Sequence, residues 1–121
     1  MQELEAKAEA ARLEDRPRLY LDIAEHQLIS AKESYKAGRG EEGQAAVVNV
    51  VRDAGKARDA AIQSGKRLKD TEIIVRKMAE KLRDMKRILN FDDQAPVQNA
   101  VDQLETMRTD LLSHMFGKGN R

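Results

Sequence analysis

Apolar residues in this chain recur at alternating spacings of three and four over most of its length. That spacing returns a side chain to the same face of an α-helix and does not fit the period of two expected of a half-buried strand. Each run forms the apolar stripe of a packed helix. The four stripes are Leu21, Ala24, Leu28, Ala31 and Tyr35; Val47, Val50, Ala54, Ala57 and Ala61; Val75, Met78, Leu82, Met85 and Leu89; and Val97, Ala100, Leu104, Met107 and Leu111. The pattern predicts an all-α fold.

Helix-starting residues precede two of the stripes. Asp15 is predicted to cap the helix that carries the first stripe, with Pro17 in its first turn, where the missing N–H costs nothing. Asp92 or Asp93 is predicted to cap the last helix, with Pro96 in its first turn. Residues 1–14 form a separate, Ala- and Glu-rich piece with a narrow apolar stripe. We therefore expect a short N-terminal helix or arm there.

The connections between helices are short enough to require antiparallel hairpins. The segment Gly38-Arg39-Gly40 ends one helix, and a turn there would place Leu28 opposite Ala54. A turn near Asp92 would place Leu82 opposite Leu104. Both pairings are apolar on both sides, so the two predicted hairpins agree with the stripes.

The middle of the chain allows two interpretations. Ser64-Gly65 is a stop signal, but the apolar stripe continues past it in phase through Leu68 and Thr71. One glycine inside a helix costs only about 1 kcal/mol. The alternative to a break is therefore one long helix over 42–90, roughly 70 Å in length, which would bury its stripe on the flanking helices or on a second chain. Either way, residues 1–121 are predicted to be a single antiparallel bundle of about four helices with a flexible tail at 117–121.

Composition excludes several classes of function. The chain has no cysteine, so thiolate metal sites and cysteine nucleophiles are excluded. Phosphate-binding glycine loops and nucleophile elbows are absent, and no apolar run is long enough to cross a bilayer. No signal peptide is recognised. The expected location is cytoplasmic if Met1 is the native start, and exported or periplasmic if a signal peptide has been removed.

The stretch from Lys66 to Asn90 is the basic part of the chain. It holds nine Lys or Arg against four acids, although the whole chain has a net charge of only +1. Acids lie three and four residues from several of the basic residues, so much of this charge is expected to be paired within the helix or with the acidic last helix. A nucleic-acid-associated role remains an alternative. Its basic surface would comprise Arg76, Lys77, Lys81, Arg83, Lys86 and Arg87.

A metal-binding helical bundle is the second alternative. The Glu-x-x-His pairs of di-metal carboxylate bundles are absent, and the two histidines each follow an aspartate by four residues. His26 lies off its stripe and is expected to face solvent, whereas His114 continues the last stripe and is expected to be structural. The methionines at helical spacing are expected to fill gaps in an Ala-rich core. No catalytic, cofactor-binding or metal-binding residue is predicted.

The stretch from Lys69-Asp70-Thr71-Glu72-Ile73 through Phe91-Asp92-Asp93-Gln94-Ala95-Pro96-Val97 to Met115-Phe116-Gly117 resembles uncharacterised bacterial all-helical proteins of unknown function. The resemblance covers about the last half of the chain. It implies a bacterial source and carries no mechanism. The sequence therefore predicts a non-catalytic helical interaction or scaffold protein, with a protein partner or a second copy of itself, without a cofactor and without insertion into a membrane.

Overall fold

The computed structural model describes residues 2–117, which form five α-helices and contain no strand. Helix α1 is Gln2–Ala10, α2 is Arg16–Lys36, α3 is Gly40–Ser64, α4 is Leu68–Lys86 and α5 is Phe91–Leu112. A 3-10 turn, Leu13–Asp15, joins α1 to α2, and a π-helical turn, Ser113–Gly117, extends α5. The predicted all-α fold and short N-terminal helix are confirmed. Apart from Gly117, the predicted tail lies outside the described residues.

Two antiparallel hairpins, α2–α3 and α4–α5, make up the bundle. Beside the first turn, Gly43 lies against the Tyr35 ring, and at the end away from the turn Tyr20 of α2 lies near Lys56 of α3. In the second hairpin Lys86 bonds Gln98 near the turn, and Glu72 bonds Arg108 at the far end. The antiparallel arrangement predicted from the two short connections is therefore confirmed.

The hairpins pack side by side, with α3 along α5 and α2 along α4. Helices α3 and α5 run in the same direction, because Gly40 approaches Asp93 near their first turns and Arg58 meets Asp110 near their ends. Helices α2 and α4 also run in the same direction, since Leu21 lies beside Thr71 and Leu28 beside Met85. Around the bundle the order is thus α2, α3, α5, α4.

The core is built from the predicted stripes. All of their residues are buried except Tyr35 and Leu89, which are half-buried and pack against the core. Residues flanking the stripes also enter the core. They include Tyr20, Ile23, Ala46, Ala60, Ala79 and Val101. Within residues 2–117 no helix is long and apolar enough to span a membrane.

The chain breaks at Gly65, so the interpretation as one long helix over 42–90 is wrong. Gly65 has φ +69° and its N–H bonds the carbonyl of Ala61 at 2.8 Å. Arg67 also has φ +65°, and the two left-handed residues reverse the chain within three positions. The stripe stays in phase because α3 and α4 both present it to the same core. Thr71, for example, is fully buried at the start of α4.

The end of α2 follows the predicted stop. Gly38 has φ +78°, the N–H of Arg39 bonds the carbonyl of Ser34 at 2.8 Å, and that of Gly38 bonds Tyr35 at 3.1 Å. This pair of bonds is the Schellman motif, in which glycine supplies the left-handed residue.

The predicted helix caps are wrong in detail. Asp15 occupies the N-cap position of α2 but makes no side-chain cap bond. Its backbone is already helical rather than extended, because Asp15 ends the preceding 3-10 turn and its N–H bonds the carbonyl of Arg12. Pro17 does lie in the first turn of α2, where it is buried. At α5 the cap position is Asn90, without a side-chain bond, and Asp92 and Asp93 lie within the first turn.

Pro96 lies one turn deeper in α5 than predicted. At that position its missing N–H removes an internal helical bond, a cost that the first turn would have avoided. The aspartates of the first turn favour the same end of the helix through its dipole, which supports the helix start in the absence of a cap.

Candidate interaction surface

The seam between α2 and α4 opens into a groove toward the C-terminal ends of these helices. Leu28 and Ile29 of α2 face Met85 of α4, and Ile88 in the turn after α4, across a cavity of about 420 Å³. For scale, an engineered apolar cavity of about 150 Å³ is large enough to bind benzene. The space between the two helices can therefore accept apolar side chains from outside. We call this feature the α2/α4 groove, lined by Glu25, Leu28, Ile29, Lys32, Lys81, Asp84, Met85 and Ile88.

Large apolar side chains remain exposed at this groove. Ile29 is 58% exposed and Ile88 is 72% exposed. Isolated exposed apolar residues are normal in proteins, but apolar residues grouped around a cavity and rimmed by charges are typical of interaction sites. The grouping distinguishes this surface from Val48, which is exposed on α3 beside a smaller depression.

Charges of both signs form the rim of the groove. Among residues 2–117, Glu25, Lys32 and Lys81 have no ion pair, and Asp84 has only the exposed Arg87, at 3.5 Å. Other surfaces of the bundle carry ion pairs between helices, such as Arg83 with Glu105 at 2.9 Å and Arg58 with Asp110 at 3.2 Å. The rim therefore has charge available for a partner.

The six residues of the predicted basic surface do not form one free cationic face. Arg76 lies 3.7 Å from Glu72, Arg83 pairs with Glu105 and Arg87 with Asp84. The Lys86 ammonium donates to Gln98 of α5 at 2.6 Å. Lys77 is exposed on α4, and Lys81 belongs to the groove rim. Arg76 and Arg87 thus pair along their own segment, Arg83 and Lys86 contact α5, and Lys77 and Lys81 remain without an ion pair within residues 2–117.

Glu72 is a buried carboxylate between α4 and α5, a role that the apolar stripes do not predict. Its carboxylate, 8% exposed, accepts a hydrogen bond from Arg108 Nε at 2.8 Å and lies 3.7 Å from Arg76. Hydrogen bonding to Glu72 raises the pKa of Arg108. This contact joins α4 to α5 at the end of the second hairpin that lies away from its turn. The neighbouring Thr71 hydroxyl is buried and has no hydrogen-bond partner within residues 2–117.

A second polar cluster lies between α1, α2 and α3. Asp53 is fully buried, its Oδ2 lies 3.4 Å from Arg52 Nη2, and its Oδ1 has no hydrogen-bond partner in the described part of the chain. The same Arg52 nitrogen binds Glu5 of α1 at 2.6 Å, and Lys56 lies 5.5 Å from the centre of the Tyr20 ring. Periodicity could have identified Asp53, because it lies seven residues from both Ala46 and Ala60, on the buried face of α3.

Stability should fall as pH rises because of Asp53. Burial, and secondarily Glu5, raise the pKa of Asp53 above its ordinary value, although Arg52 acts in the opposite direction. The folded state therefore holds the Asp53 proton more tightly than the unfolded chain, whose aspartates titrate near about pH 3.9. This contribution is full below that pH and is lost as pH rises through the folded pKa. We expect Asp53→Asn to be more stable than the wild type at pH 7.

Urea unfolding of Asp53→Asn and wild type between pH 3.5 and 8 measures this effect. The difference between them should shrink toward the acidic end. Asp59→Asn is the matched control, because Asp59 is on the same helix with its side chain 60% exposed. A gap for Asp53→Asn that stays constant over the pH range would contradict the assignment.

Neither histidine lies in a cluster of metal ligands. His26 is exposed, as predicted, and His114 Nδ1 lies 3.0 Å from the carbonyl of Asp110 one turn earlier. Residues 2–117 contain no group of three or more His, Asp or Glu side chains placed to hold a metal ion. Met78, Met85 and Met107 are buried in the core, as predicted from their spacing, and Met115 is half-buried.

Comparisons with protein-family models, with curated proteins and with solved structures find no match for this chain. Its function is therefore argued from the groove and the charges around it.

Proposed function

We propose that this protein is a non-catalytic helical interaction protein that self-associates through the α2/α4 groove. The observation that carries the proposal is the groove itself, an apolar cavity with exposed Ile29 and Ile88 on opposite walls. Burying an isoleucine side chain is favourable by about 1.5–3 kcal/mol. In the monomer Ile29 is 58% exposed and Ile88 is 72% exposed, so part of this free energy remains available at both residues to drive association.

The charge of the rim supports a second copy as the occupant. Glu25 and Asp84 are balanced by Lys32 and Lys81, so the rim carries no net charge. A two-fold interface uses the same patch on both subunits and must therefore be complementary to itself. A groove built for a strongly acidic or strongly basic partner would instead carry an excess of the opposite sign.

Replacement of Ile88 by aspartate should weaken self-association at least about tenfold, because it places a charge where an apolar side chain would be buried. Sedimentation equilibrium over a wide concentration range measures the dimerisation constant, and native mass spectrometry counts the subunits. Val48→Asp is the matched control, since Val48 is 60% exposed on α3, away from the groove. We expect Val48→Asp to dimerise like the wild type.

Two outcomes would refute the proposed function. One is a wild-type protein that stays monomeric at every concentration. The other is an equal loss of association in Ile88→Asp and Val48→Asp with both variants folded by circular dichroism. Raising the salt concentration should weaken this association far less steeply than it weakens binding to phosphates, because the main contribution is apolar burial and salt screens only the exposed charges.

The nucleic-acid alternative rests on the basic residues of α4 and has weaker support. Arg76, Arg83 and Arg87 each have a carboxylate partner, so phosphate binding would have to displace existing ion pairs. Titration with duplex DNA at low salt separates the two functions, because binding through phosphates weakens steeply as salt rises. The metal-binding alternative has no three-ligand cluster within residues 2–117 on which to build.

A further inference from the structure

The four charges on the rim of the α2/α4 groove alternate in sign around it. Along α2, Glu25 precedes Lys32, and along α4, Lys81 precedes Asp84. The two helices run in the same direction, so an acid on one helix accompanies a base on the other toward each end of the groove. Like charges thus occupy opposite corners of a four-cornered pattern.

Such a pattern is complementary to its own copy. Two identical faces meet about a two-fold axis that lies in the plane between them. If the axis runs parallel to the helices, each residue of α2 in one copy faces α4 of the other copy at the same end of the groove. Glu25 then pairs with Lys81, and Lys32 pairs with Asp84. If the axis runs across the helices, Glu25 pairs with Lys32 and Lys81 with Asp84. Every pair has opposite signs in both cases.

We infer that Glu25, Lys32, Lys81 and Asp84 are the residues that select a second copy of this chain over other apolar partners. The inference rests on the proposed self-association and adds which residues make that association specific. Three of the four charges have no ion pair within residues 2–117, and the fourth is bound only to the exposed Arg87. They can therefore pair across an interface without first breaking a buried contact. Complementary rim charges set partner choice and orientation, whereas like charges placed together oppose association.

Charge-swapped variants test the inference directly. An all-basic rim is made by Glu25→Lys with Asp84→Lys, and an all-acidic rim by Lys32→Glu with Lys81→Glu. We expect each variant alone to dimerise at least about tenfold more weakly than the wild type. Mixed in equal amounts, the two should form a heterodimer, which native mass spectrometry resolves by mass.

The variant carrying all four substitutions is the sharpest control. Its rim again alternates, with every sign inverted, so it should form homodimers as well as the wild type does. Mixed with the wild type it should form few heterodimers, because each charged rim residue of one chain would then face a residue of the same charge on the other chain. This variant also keeps the net charge of the chain unchanged, so a general effect of charge cannot account for the result. Its homodimerisation shows in addition that the four positions tolerate substitution.

The outcomes separate the inference from the proposed function. If the wild type dimerises and both two-site variants dimerise equally well, the rim does not select the partner and the inference is overturned, while self-association stands. If the wild type is monomeric, the proposed function fails first. Heterodimers of the wild type with the four-site variant, as abundant as the homodimers, would also overturn the inference.

Discussion

Replacement of Arg108 by methionine should lower the free energy of unfolding by about 2–3 kcal/mol. Glu72 is 8% exposed, and its strongest contact is the hydrogen bond from Arg108 Nε at 2.8 Å. Removing one partner of a buried ion pair leaves a charge without compensation, at a typical cost of 3–5 kcal/mol. Arg108 is 34% exposed and Arg76 remains 3.7 Å from Glu72, so we expect an effect somewhat below that range. Methionine retains much of the apolar stem.

Arg83→Met is the matched control, measured by the same urea unfolding. Arg83 binds Glu105 between the same two helices at 2.9 Å, but both side chains are more than a third exposed. Exposed ion pairs contribute about 0–1 kcal/mol, so the control should lose little. Adding Glu72→Leu to Arg108→Met should restore most of the lost stability, because the uncompensated carboxylate is gone. Equal losses in the two arginine variants would show that burial of Glu72 does not matter.

The core could be predicted from sequence because each helix buries one regular face. Leu82 and Leu104 are fully buried as their spacing requires, and the short connections left little choice of hairpin. The break at Gly65 could not be decided in this way. A stripe continues in phase both along one helix and across a turn between two helices that face a common core. Only the left-handed backbone at Gly65 and Arg67 distinguishes the two.

The groove depends on tertiary distances that periodicity does not contain. Ile29 follows the buried Leu28 directly, and whether it is covered depends on how far α2 and α4 stand apart at that level. The pairing of basic residues is easier to predict from the sequence than the groove. Arg83 binds Glu105 of α5, which is the helix-to-helix charge matching that the acidic last helix predicted. Stripes defined only by apolar residues do not predict the burial of the charged residues Asp53 and Glu72.

A single methyl group at Gly43 should destabilise the protein, although alanine is the better helix former. A Cβ at this position would lie 2.8 Å from two atoms of the Tyr35 ring, closer than side chains approach in real structures. Tyr35 is half-buried near the turn of the α2–α3 hairpin, and its hydroxyl is buried without a hydrogen-bond partner among residues 2–117. Its ring must therefore move and disturb that end of the bundle. Overpacking of this kind costs about 1–3 kcal/mol, which outweighs the gain of up to about 1 kcal/mol in helix propensity.

The same substitution at Gly55 should have the opposite sign. There the new Cβ would meet only Met107 Cε, at an ordinary 3.6 Å, so Gly55→Ala should stabilise α3 by up to about 1 kcal/mol. Thermal and urea unfolding of both variants measure the difference. In a Tyr35→Ala background the clash is absent, and Gly43→Ala should become neutral or stabilising. If Gly43→Ala remains equally damaging without the ring, the close approach of Gly43 and Tyr35 is not the cause, and α3 requires glycine there for another reason.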